Sequence, residues 1–504
     1  MSYLFKEYKT SKKIINYSLY FLIFFTILFT TINYDGNKIV IFIYGILINL
    51  ILINGLKKNS YFFEFFFGIL LWLGFWLKLI FIINYYNYSF WEGAGRAYEN
   101  INFNQKIIFL DETLVVSILA FSSYLLAVIV KDIFFKKKII SNLEILNKNK
   151  SKLFNKIQNI LIILFIFLII FTAFFNLDNL IYQRGLKSQS NFNFLINGTI
   201  KWVLLFGFSS IVSFFILINI NDKIKLYQLS LIGIFETFLS SISYLSRGMI
   251  FNALSIFYGL YKSNKIYGLM LKPRVFILYL ITIFIFFFIS VSSINYLRHN
   301  FYYFNEIKNQ DQDQDKDYKL NVFDKELQQD RIVGKTYDTL EKAIDEFFYL
   351  AVNRWVGIDA VLSTTANKGK NWNTFKNAFK EKYDPSKLPY YERVIQEREP
   401  ATNSTSINYG ITTPGIISFL FYSGSKIFLI LSFFVLTIMM LFFEKIISNK
   451  TTNLIFCALI MQQISYRLVH FGYMPLNSYM FFGTIILTVL IHQILFYLYK
   501  NIDL

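Results

Sequence analysis

The 504-residue sequence has one cysteine, three histidines, six prolines and few charged residues. The single cysteine, Cys457, excludes a disulfide framework, and no cysteines or histidines are paired at the spacing of a metal site. The sequence also lacks a Gly-rich phosphate-binding loop and the Gly-flanked serine of a hydrolase, so neither of those enzyme classes is indicated. Charged residues make up 16% of the chain, too few to cover the surface of a soluble protein of this length.

Much of the sequence consists of long apolar runs, whereas a soluble protein would have more polar residues to cover its surface. The chain is 55% hydrophobic and 20% aromatic, with a mean hydropathy of +0.45. A helix needs about 20 residues to cross about 30 Å of hydrocarbon. The first run follows Lys12 and Lys13 and is too long for a signal-peptide core, so we interpret it as a retained helix. The sequence therefore predicts an all-α, polytopic integral membrane protein with about 12 transmembrane helices, at residues 14–33, 39–56, 61–84, 113–130, 158–176, 202–220, 226–245, 249–261, 275–296, 425–443, 452–471 and 476–498.

The charges favour one side of the predicted membrane. Alternate connections are rich in lysine and together hold 23 basic and 6 acidic residues, whereas residues 297–413 hold 17 basic and 18 acidic residues. The positive-inside rule places the lysine-rich connections, and with them both termini, in the cytoplasm. The net charge of +18 is then an orientation signal, and nucleic acid is not an expected partner. We predict three parts: a bundle of nine spans at 1–296, a large, mostly helical external loop at 297–424, and three spans at 425–504.

Three charged residues interrupt the apolar segments. Glu64 and Lys78 lie near segment ends, so we expect their charged groups to extend toward the membrane interface. Glu236 lies near mid-membrane, where a carboxylate needs a partner or a polar cavity. It either pins two helices together or has a functional role.

The long loop contains three recognisable pieces. Helical spacing of apolar residues predicts an amphipathic helix over 336–363 and a shorter helix marked by Trp372, Phe375 and Phe379. Either helix could lie on the membrane surface or cap the bundle. The acidic run 311–317 is interpreted as a solvated linker. The apolar piece 414–424 is too short to span and could dip in and out of the membrane.

Arginine and lysine are distributed differently. Of the 10 arginines, Arg274 alone falls on the predicted cytoplasmic side. A planar guanidinium suits bidentate recognition of phosphate or carboxylate, which is the functional interpretation, while ion pairs with loop carboxylates are the alternative. Arg247, Arg298 and Arg467 lie at the outer ends of three segments, where they could converge. His299 and His470 follow two of these ends and are the candidates for titration near neutral pH, although each is equally explained as an interfacial histidine.

In this arrangement the chain resembles the Wzy-type oligosaccharide repeat-unit polymerases, the O-antigen and capsule polymerases of bacteria. The resemblance rests on about a dozen spans, one large external loop in the second half, and three short motifs. These motifs are Ser246-Arg247-Gly248, Arg354-Trp355-Val356-Gly357-Ile358-Asp359 and Thr413-Pro414-Gly415.

The resemblance implies a glycosyltransferase of the bacterial cytoplasmic membrane that needs no cofactor or metal. It would transfer a growing glycan from undecaprenyl diphosphate to a hydroxyl of the next lipid-linked repeat. Its implied partners are that lipid-linked oligosaccharide, the lipid bilayer, a chain-length regulator and a flippase. Residues implied to act in catalysis are Arg247, Arg298, His299 and Arg354, and residues implied to bind substrate are Arg467, His470, Arg96 and Arg184. The alternatives are an O-antigen ligase, a lipid-linked oligosaccharide flippase and a structural partner of a synthase complex.

Overall fold

The structure of the protein is a computed structural model that describes residues 18, 20–57, 59–88, 94–95, 98, 101–134, 152–183, 190, 192–267, 273–312, 352, 355–382, 388–398, 413–451, 453–472, 475 and 477–502. Within these ranges every regular element is a helix, which confirms the predicted all-α fold class. The helices in chain order are α1 (Tyr20–Ile32), α2 (Lys38–Leu56), α3 (Phe62–Asn84), α4 (Phe103–Phe134), α5 (Lys152–Asp178), α6 (Phe194–Ile218), α7 (Lys223–Ser243), α8 (Ile250–Tyr267), α9 (Pro273–Gln312), α10 (Ile358–Ala366), α11 (Trp372–Phe379), α12 (Gly415–Phe421), α13 (Lys426–Thr451), α14 (Leu454–Val469) and α15 (Asn477–Ile502).

In the described part of the chain, nine helices are long and apolar enough to cross a membrane: α2 to α7, α9, α13 and α15. α1 and α14 are shorter apolar helices. The chain is therefore an all-helical, multi-span membrane protein, while the count of about 12 spans and the cytoplasmic location of both termini stay predictions. α9 runs on to Gln312, past the predicted boundary at 296.

Polar side chains set where many of these helices begin. Five helices, α2, α6, α7, α11 and α14, directly follow a short polar residue. The side chain of that residue accepts hydrogen bonds from backbone N–H groups of the first turn. In the same order, these residues are Asn37, Asn193, Asp222, Asn371 and Asn453. The first N–H groups of a helix have no partner within the helix, so a side-chain oxygen at this position satisfies them. Short polar residues between apolar runs thus fix the helix starts.

The buried residues form two main cores. One lies among α2, α3, α4, α10, α12, α13 and α14, and the other among α5, α6, α7 and α8. The two cores meet along α8 and α14, which pack antiparallel. Gly259 of α8 allows this approach because a side chain there would lie 2.7 Å from the Ile455 Cα.

Two short helices from the predicted external loop, α10 and α12, pack inside this framework, and a third, α11, packs on its surface. Every residue of α12 is buried, and so is all of α10 except Asp359. The predicted helix over 336–363 is wrong at residues 355–357, which are not helical, and residues 336–351 lie outside the described ranges. The shorter predicted helix is confirmed as α11, whose Trp372 and Phe375 rings pack on Phe428 of α13.

Candidate functional site

Three of the predicted site residues, Arg247, Arg467 and His470, lie where α7 ends, α8 begins and α14 ends, a region that we call the long-loop end of the bundle. Arg247 opens a 3-10 turn, Arg247–Met249, that packs against α7, α8 and α9. The structure describes the backbone of Arg298 and His299, both on α9. The turn that carries Arg247 thus contacts the helix that carries Arg298. Three predicted residues lie outside the described ranges: Arg96, Arg184 and Arg354.

The turn before Arg247 is held by buried contacts. Leu245 is fully buried and has a φ of +50°, a left-handed conformation that strains a non-glycine residue by about 1–3 kcal/mol. The Ser246 N–H donates to the Ser241 carbonyl at 2.9 Å, and the Tyr244 hydroxyl donates to the Lys201 carbonyl at 2.7 Å. A strained conformation persists only where its surroundings enforce it, so these contacts fix the backbone position of Arg247.

The end of α14 presents Arg467 and His470 together. The His470 ring stacks on the Tyr466 ring with centroids 4.1 Å apart, and its Nδ1 donates to the Tyr466 carbonyl at 3.0 Å. The Arg467 Nη2 donates to the Ser478 hydroxyl at 3.2 Å, near the start of α15. Both side chains are half-buried, so a cation and an imidazole are held at the edge of the bundle.

An aromatic cluster joins this helix end to the turn and to the loop. The Phe251 ring, one helical turn after Arg247, lies 5.8 Å from the Tyr466 ring and 6.0 Å from the Trp355 ring. Trp355 directly follows Arg354 in the sequence. The second resemblance motif and the helix that follows the first one therefore meet at one end of α14.

The third motif, residues 413–415, packs against the same helix end. The Gly415 N–H donates to the Phe471 carbonyl at 2.9 Å. Gly415 has a φ of +73°, and a side chain there would lie 2.8 Å from the Val469 carbonyl oxygen and 3.2 Å from Val356. Only glycine fits this conformation and this approach without strain. The third motif thus contacts the end of α14 directly, the second contacts the third through Val356, and the first lies one helical turn before Phe251, which packs on Tyr466.

The prediction that Lys78 extends toward the interface is wrong. Its side chain is 4% exposed, and its Nζ lies 2.9 Å from Asp359 Oδ2 of α10. The ammonium also donates to the Trp355 carbonyl at 3.1 Å. A buried charge is stable only when it is paired and hydrogen-bonded, and the partner here comes from 281 residues further along the chain (359 − 78).

Two glycines allow the loop backbone to reach Lys78. α3 contains a π-helical turn, Trp72–Leu77, and within it Gly74 faces the backbone of Val356 and Gly357. A side chain at either glycine would come within 3.0 Å of backbone atoms of the other segment. π-helical turns inside α-helices are frequent at functional sites. Residues 355–357 pack against this one, and we call the surface of α3 around Gly74 their seat.

Hydroxyl pairs fix α10 in its buried position. The Thr365 and Thr113 hydroxyl oxygens are 2.7 Å apart, which ties α10 to α4. The Thr364 and Ser418 hydroxyl oxygens are also 2.7 Å apart, which ties it to α12. The Thr364 and Thr365 hydroxyls thus each meet a polar partner inside the bundle, as burial requires.

Glu236 has the partners that its position required, which confirms that prediction. Its carboxylate accepts hydrogen bonds from the Ser209 hydroxyl at 2.6 Å and the Ser240 hydroxyl at 3.0 Å. Glu236 lies seven residues before the end of α7 at Ser243 (243 − 236), or about 10 Å along the helix. It therefore pins α7 to α6 at a depth well below the three motifs.

The opposite end of the bundle holds a second set of buried charges. Glu64 does turn toward the end of its segment, where its Oε1 accepts a hydrogen bond from the Tyr61 N–H at 3.2 Å, but it is buried there and its Oε1 lies 2.6 Å from Lys131 Nζ. The Glu444 carboxylate accepts hydrogen bonds from the Phe62 and Phe63 N–H groups, at 2.7 and 2.8 Å, and so stabilises the start of α3. These contacts hold α3, α4 and α13 together at the end away from the motifs.

Sequence reasoning missed Lys78 and Asp359 as site residues. The sequence did contain a signal for Lys78. A charge inside an apolar segment is energetically costly, so such a residue is a functional candidate by default. The identity of its partner was not available, because nothing local in the sequence links residues 78 and 359. No group of three or more His, Cys, Asp or Glu side chains gathers as metal ligands in the described ranges.

The long-loop end therefore combines cationic groups, an imidazole and a buried carboxylate at a boundary between polar loops and apolar helices. Such a site can hold an anion at the boundary and accept a proton beside it. A scan of protein-family models, a search of curated proteins and a search of solved structures found no match to this chain.

Proposed function

We propose that this chain is a membrane glycosyltransferase that polymerises undecaprenyl-diphosphate-linked oligosaccharide repeat units into a surface polysaccharide, O-antigen or capsule, on the outer face of the bacterial cytoplasmic membrane. The observation that supports this proposal is the convergence of the three resemblance motifs at the end of α14. Their members lie 106 (354 − 248) and 54 (413 − 359) residues apart in sequence. Segments that meet in this way can form one site.

The proposed reaction makes three demands. Negative charge develops on the departing diphosphate, two lipid-bound substrates must be aligned, and a hydroxyl proton must be removed. Preplaced guanidinium groups serve the first demand, and holding both substrates at one boundary serves the second. We assign the diphosphate to Arg247, Arg298 and Arg354. Supporting contacts to substrate are assigned to Arg467, His470, Arg96 and Arg184.

The alternatives differ in what they require of the bundle interior. A flippase needs a polar passage for the glycan, whereas several buried polar groups of α7, α8 and α14 are engaged in hydrogen bonds within the bundle. Glu236 binds two serines, and Gln463 donates to the Asn252 amide. An O-antigen ligase requires the same donor site as a polymerase and differs only in its acceptor, so an experiment on the product separates the two.

The test uses a strain that lacks this gene and carries variants of it. Arg247→Ala is compared with Arg274→Ala, a matched control because Arg274 is exposed near the start of α9, away from the long-loop end. We expect Arg247→Ala to leave single repeats on the surface and to reduce chain extension by about 10²–10³-fold, as for loss of one preplaced donor. Arg274→Ala should retain the full ladder of chain lengths on a gel.

Other outcomes point to other functions. A normal ladder with Arg247→Ala contradicts a polymerase that uses Arg247. Accumulation of lipid-linked repeats on the inner leaflet indicates a flippase. Accumulation of full-length glycan on its lipid carrier, without transfer to a final acceptor, indicates a ligase. Arg247→Lys keeps the charge but removes the planar fork, so its activity measures how far bidentate binding matters.

A further inference from the structure

Only one of the two carboxylate oxygens of Asp359 takes part in the ion pair with Lys78. Oδ2 lies 2.9 Å from Lys78 Nζ, whereas Oδ1 is buried and accepts no hydrogen bond within the described part of the chain. Buried polar atoms are nearly always hydrogen-bonded, and an unpaired oxygen of a charged group is especially costly. A carboxylate oxygen that stays unpaired at this energetic cost is typical of a group that binds a ligand.

Among the described residues near Asp359, the hydroxyl groups do not serve as partners for Oδ1. Asp359 is the second residue of α10, and the nearby hydroxyls of that helix are engaged elsewhere: Ser363 donates to the Asp359 backbone carbonyl at 3.0 Å, and the Tyr391 hydroxyl donates to Ser363 Oγ at 3.3 Å. Burial raises the pKa of Tyr391, and the neighbouring Asp359 charge raises it further, so this phenol stays protonated at neutral pH.

Asp359 lies beside the converged motifs and is not sealed off. Its side chain is 14% exposed, compared with 4% for Lys78, so a substrate can approach the residue, and Oδ1 lies just beneath this exposed part. Val356, one turn earlier, contacts the Gly415 position, and Trp355 lies on Phe251. A substrate held at the end of α14 would therefore reach Asp359 from the long-loop end.

We propose that Asp359 Oδ1 accepts the proton of the attacking hydroxyl in the glycosyl transfer, an inference that rests on the proposed function. The acceptor oxygen forms a bond to the anomeric carbon of the donor sugar, and the bond from that carbon to the diphosphate oxygen breaks. Undecaprenyl diphosphate leaves with the electron pair, and the hydroxyl proton moves to Oδ1. Lys78 holds Oδ2 and fixes the direction of Oδ1. Asp359 then takes the role of base in place of His299, which the resemblance implied to act in catalysis.

The test separates a base from a residue that only anchors α10. Purified protein in nanodiscs is given the lipid-linked repeat of its host, and chain extension is followed on gels. Asp359→Asn keeps the shape and leaves an oxygen for Lys78, so we expect unchanged binding of undecaprenyl diphosphate, the probe for the donor site. Turnover should fall by about 10²–10⁴-fold, the usual contribution of a general base. Asp359→Glu should recover part of the turnover because it retains a carboxylate.

A second variant tests whether Asp359→Asn loses activity only because the ion pair with Lys78 is lost. Lys78→Gln with Asp359→Asn is a neutral, hydrogen-bonding pair that restores the anchoring of α10 without a base. We expect it to match the wild-type melting temperature and to remain inactive. Recovery of turnover in this double variant, or wild-type turnover in Asp359→Asn, would overturn the assignment while leaving the proposed function in place. An inactive wild-type protein with the same substrate would instead contradict the proposed function.

Discussion

Adding one methyl group at Gly357 should displace the buried loop segment from its seat on α3. The added Cβ would come within 3.0 Å of the Gly74 backbone, a separation that real Cβ atoms essentially never show. Backbone lies on both sides of the contact, so no change of rotamer can relieve the overlap. The segment 355–357 must therefore move, and Lys78 loses its bond to the Trp355 carbonyl in the process.

The size of the effect follows from this geometry. Overpacking a well-packed interior costs about 1–3 kcal/mol, and a clash between two backbones belongs at the upper end of that range. At about 2.1 cal/mol/K of unfolding entropy per residue, a chain of 504 residues loses about 1 °C of melting temperature per kcal/mol. We expect Gly357→Ala to melt about 3 °C below the wild type in detergent.

A labelling assay reports the displacement directly. Cys457 is the only cysteine, so a Cys457→Ala background allows a single new thiol at Val361, a fully buried position of α10. Val361→Cys should resist a water-soluble maleimide, and Gly357→Ala should make it reactive. Gly198→Ala is the matched control, because nothing lies within 4 Å of its added Cβ and alanine favours a helix. An unreactive Val361→Cys and an unchanged melting temperature in Gly357→Ala would refute the proposed seat.

Two further substitutions test other contacts. Glu236→Leu should reduce the free energy of unfolding by about 1–3 kcal/mol, because the Ser209 and Ser240 hydroxyls lose their acceptor. Denaturant titration measures this loss, and chain extension by the folded fraction should be unaffected if the residue only pins helices. Gly415→Ala places a side chain 2.8 Å from the Val469 carbonyl at a φ of +73°, so we expect a loss of chain extension at normal protein levels. A fully active Gly415→Ala protein would contradict a fixed junction between the loop and α14.

The sequence alone was sufficient to predict the helices, because the interactions that form a helix are local. Within a bilayer a helix satisfies its own backbone hydrogen bonds, so a run of about 20 apolar residues determines the element without any information about its neighbours. The start of α14 is equally local, since Asn453 accepts hydrogen bonds from the Ile455 and Phe456 N–H groups at the beginning of an apolar run.

The position of α10 could not be predicted from the same kind of signal. Ser363, Thr364 and Thr365 give the segment a polar character, which locally favours a surface helix. They are nevertheless buried, because Thr113 and Ser418 meet them from elements that are 252 and 54 residues away in sequence. A local pattern holds no information about such partners, so sequence reasoning assigned this part of the loop to the membrane surface or to a cap on the bundle.

The same limit explains why the candidate base was missed. Arginines at segment ends could be found because their number on one predicted side of the membrane is unusual, and that count needs only the order of the predicted segments. Lys78 and Asp359 are each unremarkable until they are placed 2.9 Å apart. Once they are paired, Lys78 occupies one carboxylate oxygen and leaves the other for a ligand. The chemistry we propose therefore depends on a loop that folds back into the bundle: α3 provides the cation, the loop provides the carboxylate, and the end of α14 brings the motif residues to the same place.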